Sequence, residues 1–393
     1  MDAIRAKVDE LNSEAWAKRV SDSTRAFTLS REAVELARQA GYSKGLAEGL
    51  RSYGFGLIRL SRHQEAMPVL EEAFALFEAL GSERGKAEVY EYFGIIHRSF
   101  GNFDRSLENL YQALDMSLQA GYKEEASLAY YHLGVTHKYL GNFDKALEYL
   151  LESLAMAREI GFWVAESYAL NLIGQLYSET GDYQQALDYY HQSLQIRKAS
   201  GDLWGEAGCL DNIGYAFLQL GRFDEAVEPC AGSLAICRRT GDKKGQANAL
   251  FHLSALYGRK GDVQEAVAMA KESLAIRKAI DDKKGQAEVL LLLAGFSLAA
   301  SGNETIEQLQ QALIIGNEIK AKDLLANIHF QFYQSYKALG RFDKALESFE
   351  AFNRVEKELH KDALAEKVIN LQITHRAEQA QKEAENYRLR NNE

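Results

Sequence analysis

Glycine recurs along this chain at intervals of forty residues. Gly41, Gly81, Gly121, Gly161, Gly201 and Gly241 form one column, which Asp281 continues. Ser61, Gly101, Gly141, Gly181, Gly221 and Gly261 form a second, midway between the members of the first. Self-similarity at a fixed period of about 20–50 residues marks an array of like units, each burying its apolar face against the next.

The segments between the columns carry helical periodicity. After Gly141, residues Phe143, Ala146, Leu147, Leu150, Leu154 and Ala157 step by three and four positions, the spacing of one helix face. The glycine that follows supplies a left-handed helix stop. Asp182 and Asp262, with Gln185 and Glu265 three positions on, read as capping boxes opening the next helix. Each unit is therefore expected to be two antiparallel helices with glycine at both turns. The chain has 30 glycines but only 2 prolines, where ordinary usage of about 5% predicts roughly 20. That excludes collagen-like and proline-rich disordered classes and disfavours a many-turned β fold. Pro68 and Pro229 fall inside second helices and are expected to bend or loosen them.

A third column, Gly54, Gly94, Gly134, Gly174, Gly214 and Gly295, lies inside the first helices, with Ser254 and Tyr333 as departures. A mid-helix glycine costs about 1 kcal/mol against alanine, so its recurrence implies close approach of a neighbouring helix. Alanines 66, 146, 186, 226, 266 and 345 serve the same purpose on the second helices.

The stretch AYYHLGVTHKYLGNFDKA from Ala129 resembles the tetratricopeptide repeat. Leu133 and Gly134 match the Leu-Gly pair of its first helix, Gly141 and Phe143 its turn, and Ala146 the small residue of its second helix. The usual proline at the repeat end is missing and the unit is forty residues rather than thirty-four, resembling the long-helix variety of kinesin light chain and Pins-type scaffolds. The resemblance implies an all-α, right-handed superhelical solenoid of about nine hairpins over residues 1–359, plus a C-terminal helix. The first hairpin, within 1–40, is degenerate; eight clear pairs run from about Tyr42 to Leu359. The seventh of these is irregular, with Gly302 displaced by one position and the following helix expected to be short.

From His360 the repeat stops. Residues 360–393 read as one helix with two seams out of phase: Leu364, Val368 and Leu371, then Ala377, Ala380, Ala384 and Tyr387. Two roles stay open for it: a cap over the last repeat, or a connector, pairing in parallel as a homodimer, towards a further domain. The unit LNSEAWAKRVSDSTRAFTLSREAVELARQAG, the forty-residue repeats and the tail AEQAQKEAENYRLRNNE together resemble the sensory half of bacterial multi-domain signalling proteins. In those, the helix leads into a diguanylate cyclase, histidine kinase, nucleotide cyclase or phosphatase module, which here would lie beyond Glu393.

The net charge of −10 is unfavourable for binding nucleic acid or an anionic membrane. The N-terminus has no signal-peptide core, and the apolar run Val289 to Ala300 is too short for a bilayer, so a cytoplasmic protein is expected. No phosphate-binding Gly-rich loop or HExxH motif occurs; the Gly54–Gly56 pair lies inside an expected helix. Cys209, Cys230 and Cys237 read as buried free thiols. His97 and His137 share one repeat position and His132 and His252 another, which suits packing or groove positions better than metal ligands. No active site and no cofactor are expected.

What remains is the concave surface lined by the first helices. Its rows bring Arg51 and Phe55, Glu91, Ile95 and Arg98, and further positions down the array. The candidate peptide- or partner-binding residues are Arg98, Tyr131, Lys138, Tyr168, Asn171, Gln175, Asp211, Tyr215 and Phe251. The tyrosines offer stacking surface, Asn171 and Gln175 can bond an extended peptide backbone, and Arg98 and Lys138 can meet a carboxylate. The family's two-carboxylate clamp of Lys and Asn is not reproduced. The expected function is a protein- or peptide-binding scaffold acting as the sensory region of an intracellular bacterial signalling protein. A free-standing adaptor, or a receptor closing around a peptide or small molecule, stands as the alternative.

Overall fold

The computed structural model describes residues 2–298 and 302–391. The described residues form eighteen α-helices and no strand, an all-α repeat array. The helices pair as nine hairpins: α1 (Asp2–Lys18) with α2 (Ser23–Gln39), α3 (Ser43–Arg59) with α4 (His63–Ala79), α5 (Glu83–Ser99) with α6 (Phe103–Ala120), α7 (Lys123–Tyr139) with α8 (Phe143–Ile160), and α9 (Trp163–Glu179) with α10 (Tyr183–Ser200). They continue as α11 (Leu203–Gln219) with α12 (Phe223–Thr240), α13 (Lys243–Lys260) with α14 (Val263–Ala279), α15 (Lys283–Ser297) with α16 (Gly302–Glu318), and α17 (Lys322–Ala338) with α18 (Phe342–Asn391).

Both turn columns are left-handed. Every glycine in them has φ between 57° and 93°, and the two other members, Ser61 at 58° and Asp281 at 55°, adopt the same conformation. The array thus imposes the backbone shape even where a side chain must strain to follow it. Inside the first helices the third column works by contact. A Cβ on Gly94 would come within 2.6 Å of Leu110 Cγ, and one on Gly54 within 2.5 Å of Leu70 Cδ2. Opposite them, Ala66, Ala146, Ala186, Ala226 and Ala266 are fully buried.

Several expectations need correction. Gly295 is one position out of register: Ala294, 1% exposed, holds the buried place, and a Cβ on Gly295 would meet nothing within 4 Å. Asp182 does cap its helix, accepting from the Gln185 amide, but Asp262 makes no side-chain cap bond. Side-chain caps also stand at first helices, where Ser82, Asp242 and Asp282 accept from the amides of Gly85, Gly245 and Gly285, and at α2, where Asp22 accepts from the Arg25 amide. Helices α4 and α12 continue through Pro68 and Pro229. In the irregular unit, Gly302 opens α16, and the short helix is the preceding one, α15, at 15 residues.

By their contacts the residues divide into two compact units. The first runs through Thr180 and adds Gln192–Asp202 and the chain from Ile369 on. In it the first helices meet in sequence, α1 with α3, α3 with α5, α5 with α7 and α7 with α9, giving one continuous first-helix face. The second comprises Gly181–His191 and Leu203–Val368, and α11, α13, α15 and α17 meet in the same way.

No helix end marks the expected boundary at 359–360; α18 runs unbroken for 50 residues. In the first unit its distal part docks on the turn between α7 and α8. Asn370 Nδ2 donates to the Leu140 carbonyl at 3.3 Å and Asn142 Nδ2 donates to Thr374 Oγ1 at 2.7 Å. Ile373 and Ala377 pack against the core built on Leu107, Leu110 and Leu133. Leu364, Val368 and Leu371, the first seam, are each more than half exposed. Ala380, Ala384 and Tyr387 of the second seam lie outside the residues whose side chains are described.

Candidate functional site

The first-helix face of the first unit encloses a cavity of about 290 Å³. Its aromatic lining comes from five successive first helices and the turns that open them: Trp16, Phe55, Tyr92, Tyr131, Phe162 and Tyr168. Trp16 is held between two guanidinium groups, Arg19 and Arg51, each 3.8 Å from the centre of its ring system. Tyr131 and Tyr168 lie with ring centroids 5.4 Å apart. Arg197 sits over the Tyr168 ring at 5.1 Å and pairs with buried Asp202 at 3.0 Å. Cation–π contacts of this kind stabilise most where water is excluded.

Two acidic residues face the cavity from α5. Glu88 is buried and bonded to Arg51 at 2.6 Å; burial pushes its carboxyl up despite that partner. Glu91 lies 3.2 Å from His132 Nε2. Burial, reinforced by the nearby Glu125 carboxylate, pushes Glu91 up to about 8. Burial together with the charge of Arg98 holds His132 well below the usual imidazole range. Both groups are thus held towards their neutral forms at pH 7, and the buried His132 Nδ1 has no hydrogen-bond partner.

The second unit repeats this pair in the same repeat positions with a different charge. Asp211 on α11 lies 2.9 Å from His252 Nδ1 on α13. Burial opposes the imidazolium there, but the charge and hydrogen bond of Asp211 outweigh it and the His252 value is raised. Tyr215 lies 5.5 Å from the His252 ring, and Arg277 sits over Phe251 at 5.8 Å.

The nine candidate residues thus fall in two groups. Arg98, Tyr131, Lys138, Tyr168, Asn171 and Gln175 belong to the first unit, and Asp211, Tyr215 and Phe251 to the second. Tyr131 and Tyr168 line the cavity together. Asn171 and Gln175 are half-buried on α9. The two cations are already engaged: Lys138 pairs with Glu179 at 2.7 Å, and Arg98 donates to the His132 carbonyl and to Thr136 Oγ1. Among the described residues no group of three or more His, Cys, Asp or Glu could hold a metal ion. The three cysteines are buried as thiols rather than joined in disulfides, and burial pushes Cys230 up to about 12 and Cys237 up to about 11. No described helix is long and apolar enough to cross a membrane.

The sequence model of the tetratricopeptide repeat matches residues 45–119, 125–199 and 206–279, more than half of the chain. The chain belongs to the tetratricopeptide repeat family. No curated protein matches its sequence. Among solved structures, this tetratricopeptide repeat chain is similar to the apo form of the quorum sensor NprR from B. thuringiensis. The TM-score is 0.66 at 16% identity, over 90% of this chain and 99% of that one. A Rap protein complexed with Competence and Sporulation Factor gives 0.62 at 14% identity, over 92% and 99%. A signal transduction ATPase with numerous domains, carrying a tetratricopeptide repeat sensor, from Pyrococcus horikoshii gives 0.56 at 17%, over 82% and 54%. At these identities the likeness establishes the fold.

Trp16, Arg19, His132 and Arg197 were not among the expected site residues. A signal for them exists at longer range in the sequence. The acid–histidine pair of α5 and α7 recurs on α11 and α13, and Arg197 with Asp202 recurs as Arg277 with Asp282 at 2.5 Å. Trp16 has no such echo, because the first hairpin departs from the repeat pattern.

Proposed function

We propose that this chain is the ligand-sensing region of an intracellular bacterial signalling protein, holding a peptide or a segment of a partner protein along its first-helix face and performing no catalysis itself. The observation that carries this is the aromatic cavity of the first unit. A recess lined by six aromatic rings offers a bulky apolar group binding free energy through burial. Similarity to a quorum sensor, to a Rap protein solved with Competence and Sporulation Factor and to a tetratricopeptide repeat sensor supports the sensory reading. In this reading Tyr131 and Tyr168 stack on the ligand, and Asn171 and Gln175 bond its backbone. Arg98 and Lys138 brace the groove through their own contacts, while Asp211, Tyr215 and Phe251 form a second contact station.

The array of residues 1–359 would carry recognition, with 360–393 as its appended helix. The hydrogen bonds of Asn370 and Thr374 to the α7–α8 turn seat the distal part of that helix on the fourth hairpin, which speaks against a free connector and is not a cap over the last repeat. The exposed seam of Leu364, Val368 and Leu371 is where a homodimer would form.

A phage-displayed library of random peptides, panned on wild type and on Tyr131→Ala and Tyr168→Ala, tests the site. Enriched sequences should lose retention on both variants, while enrichment that neither change disturbs would remove the groove from the proposal.

A further inference from the structure

The charges around the first-unit cavity do not balance locally. Glu88 is met by Arg51 at 2.6 Å, and Glu124 and Glu125 by Arg84 at 3.4 and 2.6 Å. Arg197 is met by Asp202, and Glu91 is neutral against His132. Because Glu124 and Glu125 share the one Arg84, the surplus is a single positive charge, and two cavity-lining cations stand outside any ion pair. Arg19 and Arg59 have no carboxylate within ion-pair distance among the described residues; Arg19 donates only to the Trp16 carbonyl, at 2.6 Å. In a chain of net charge −10, two unmatched guanidinium groups at the rim of an aromatic recess are a local inversion of sign.

A third polar group points the same way. His132 Nδ1, buried in the wall, has no hydrogen-bond partner; with the ring proton there it would donate to a carboxylate, and a buried polar atom left unpaired costs about 1–3 kcal/mol. The cavity, at about 290 Å³, sits at the small end of ligand pockets. It suits one bulky side chain and the group beside it rather than a folded partner.

We infer that this cavity takes the free carboxylate end of a peptide whose last residue is aromatic or bulky and apolar, with Arg19 and Arg59 receiving the carboxylate and the rings of Trp16, Tyr131 and Tyr168 receiving the side chain. The inference rests on the peptide-binding reading above and narrows it to one terminus. Guanidinium binds carboxylate with directed, charge-assisted hydrogen bonds, and the surrounding rings exclude the water that would weaken them. The arginines involved come from the turn after α1 and from the end of α3, so the degenerate first hairpin and the regular second one each supply one partner for the anion.

The test uses the full chain and a pool of N-acetyl octapeptides of random sequence ending in Phe, Leu, Trp or Tyr, made both as free acids and as C-terminal amides. Retained peptides are counted by mass spectrometry. Wild type should retain acids over amides by about tenfold or more. Arg59→Gln, an exposed position that leaves folding intact, should cut the preference severalfold, and Arg19→Gln with Arg59→Gln should bring it to parity. Arg62→Gln, outside the cavity, should preserve it. Equal retention of acids and amides by wild type, or a preference undiminished by Arg59→Gln, overturns the inference and leaves peptide binding standing. Retention of neither pool, together with a failed display experiment, overturns both.

Discussion

The Glu91 carboxyl stands 3.2 Å from Nε2 of His132, and burial keeps both uncharged at neutral pH. Unfolded, the carboxyl titrates near about 4.3; folded, it titrates at about 8. Between those values the folded chain holds a proton that the unfolded chain has released, so stability falls as pH rises through the window.

Replacing Glu91 with Gln removes that loss. Wild type should melt progressively lower from pH 5 to pH 8, and Glu91→Gln should decline less, by about 2–4 °C for each kcal/mol recovered. Scanning fluorimetry across the range measures both slopes, and parallel slopes would contradict the neutral pair.

The Asp211–His252 pair should shift stability with pH in the same direction. With its folded value raised, His252 contributes stability that is full below about 6.5 and is lost as pH rises through the folded value. Asp211→Asn should therefore cost about 1–3 kcal/mol at pH 6 and less at pH 9. In an NMR titration His252 should shift to lower pH in the variant, while a His252 midpoint indifferent to Asp211 would refute the coupling.

Two glycines of similar sequence context should respond to alanine with opposite signs. Gly94→Ala drives a methyl into Leu110 and against the Ser106 carbonyl, an overpacking cost of about 1–3 kcal/mol. Gly295→Ala meets open space and should gain about 0.5–1 kcal/mol from helix propensity. Denaturant melts of the two variants decide the point, and a shared sign would break the packing account of the column.

The docked part of α18 should be released by breaking its two hydrogen bonds. Asn370→Ala combined with Thr374→Val removes both and should speed amide exchange over residues 369–377 by about tenfold or more, since each bond contributes about 0.5–1.5 kcal/mol. Exchange read by mass spectrometry would count against docking if the segment exchanged equally fast in wild type.

How much of this was legible in the sequence follows from what repeats. Turn glycines, packing glycines and buried alanines recur at forty-residue intervals because each repeat solves the same packing problem, so the helices and their order could be read directly. Gly295 misled because the irregular seventh unit moves the register by one, putting Ala294 where glycine was expected. The tyrosines of the groove were legible as positions on the first helices. Their electrostatic setting was not, since Lys138 meets Glu179 and Arg98 meets Thr136 across helix neighbours that a single repeat does not show. Trp16 and Arg19 stayed hidden because the hairpin carrying them departs from the pattern that made the rest readable.

Among the described residues, most side-chain bonds between helices join positions no more than about one repeat apart, as Arg51 to Glu88 does across 37 positions. Such an array folds from any starting point and frays from any end, with modest cooperativity. The bond from Asn142 to Thr374 spans 232 positions. Closing so long a loop comes late and slowly, so the distal part of α18 must find its seat on hairpins already formed. Refolding should therefore show a fast phase in which hairpins assemble and a slower one in which the chain closes on itself.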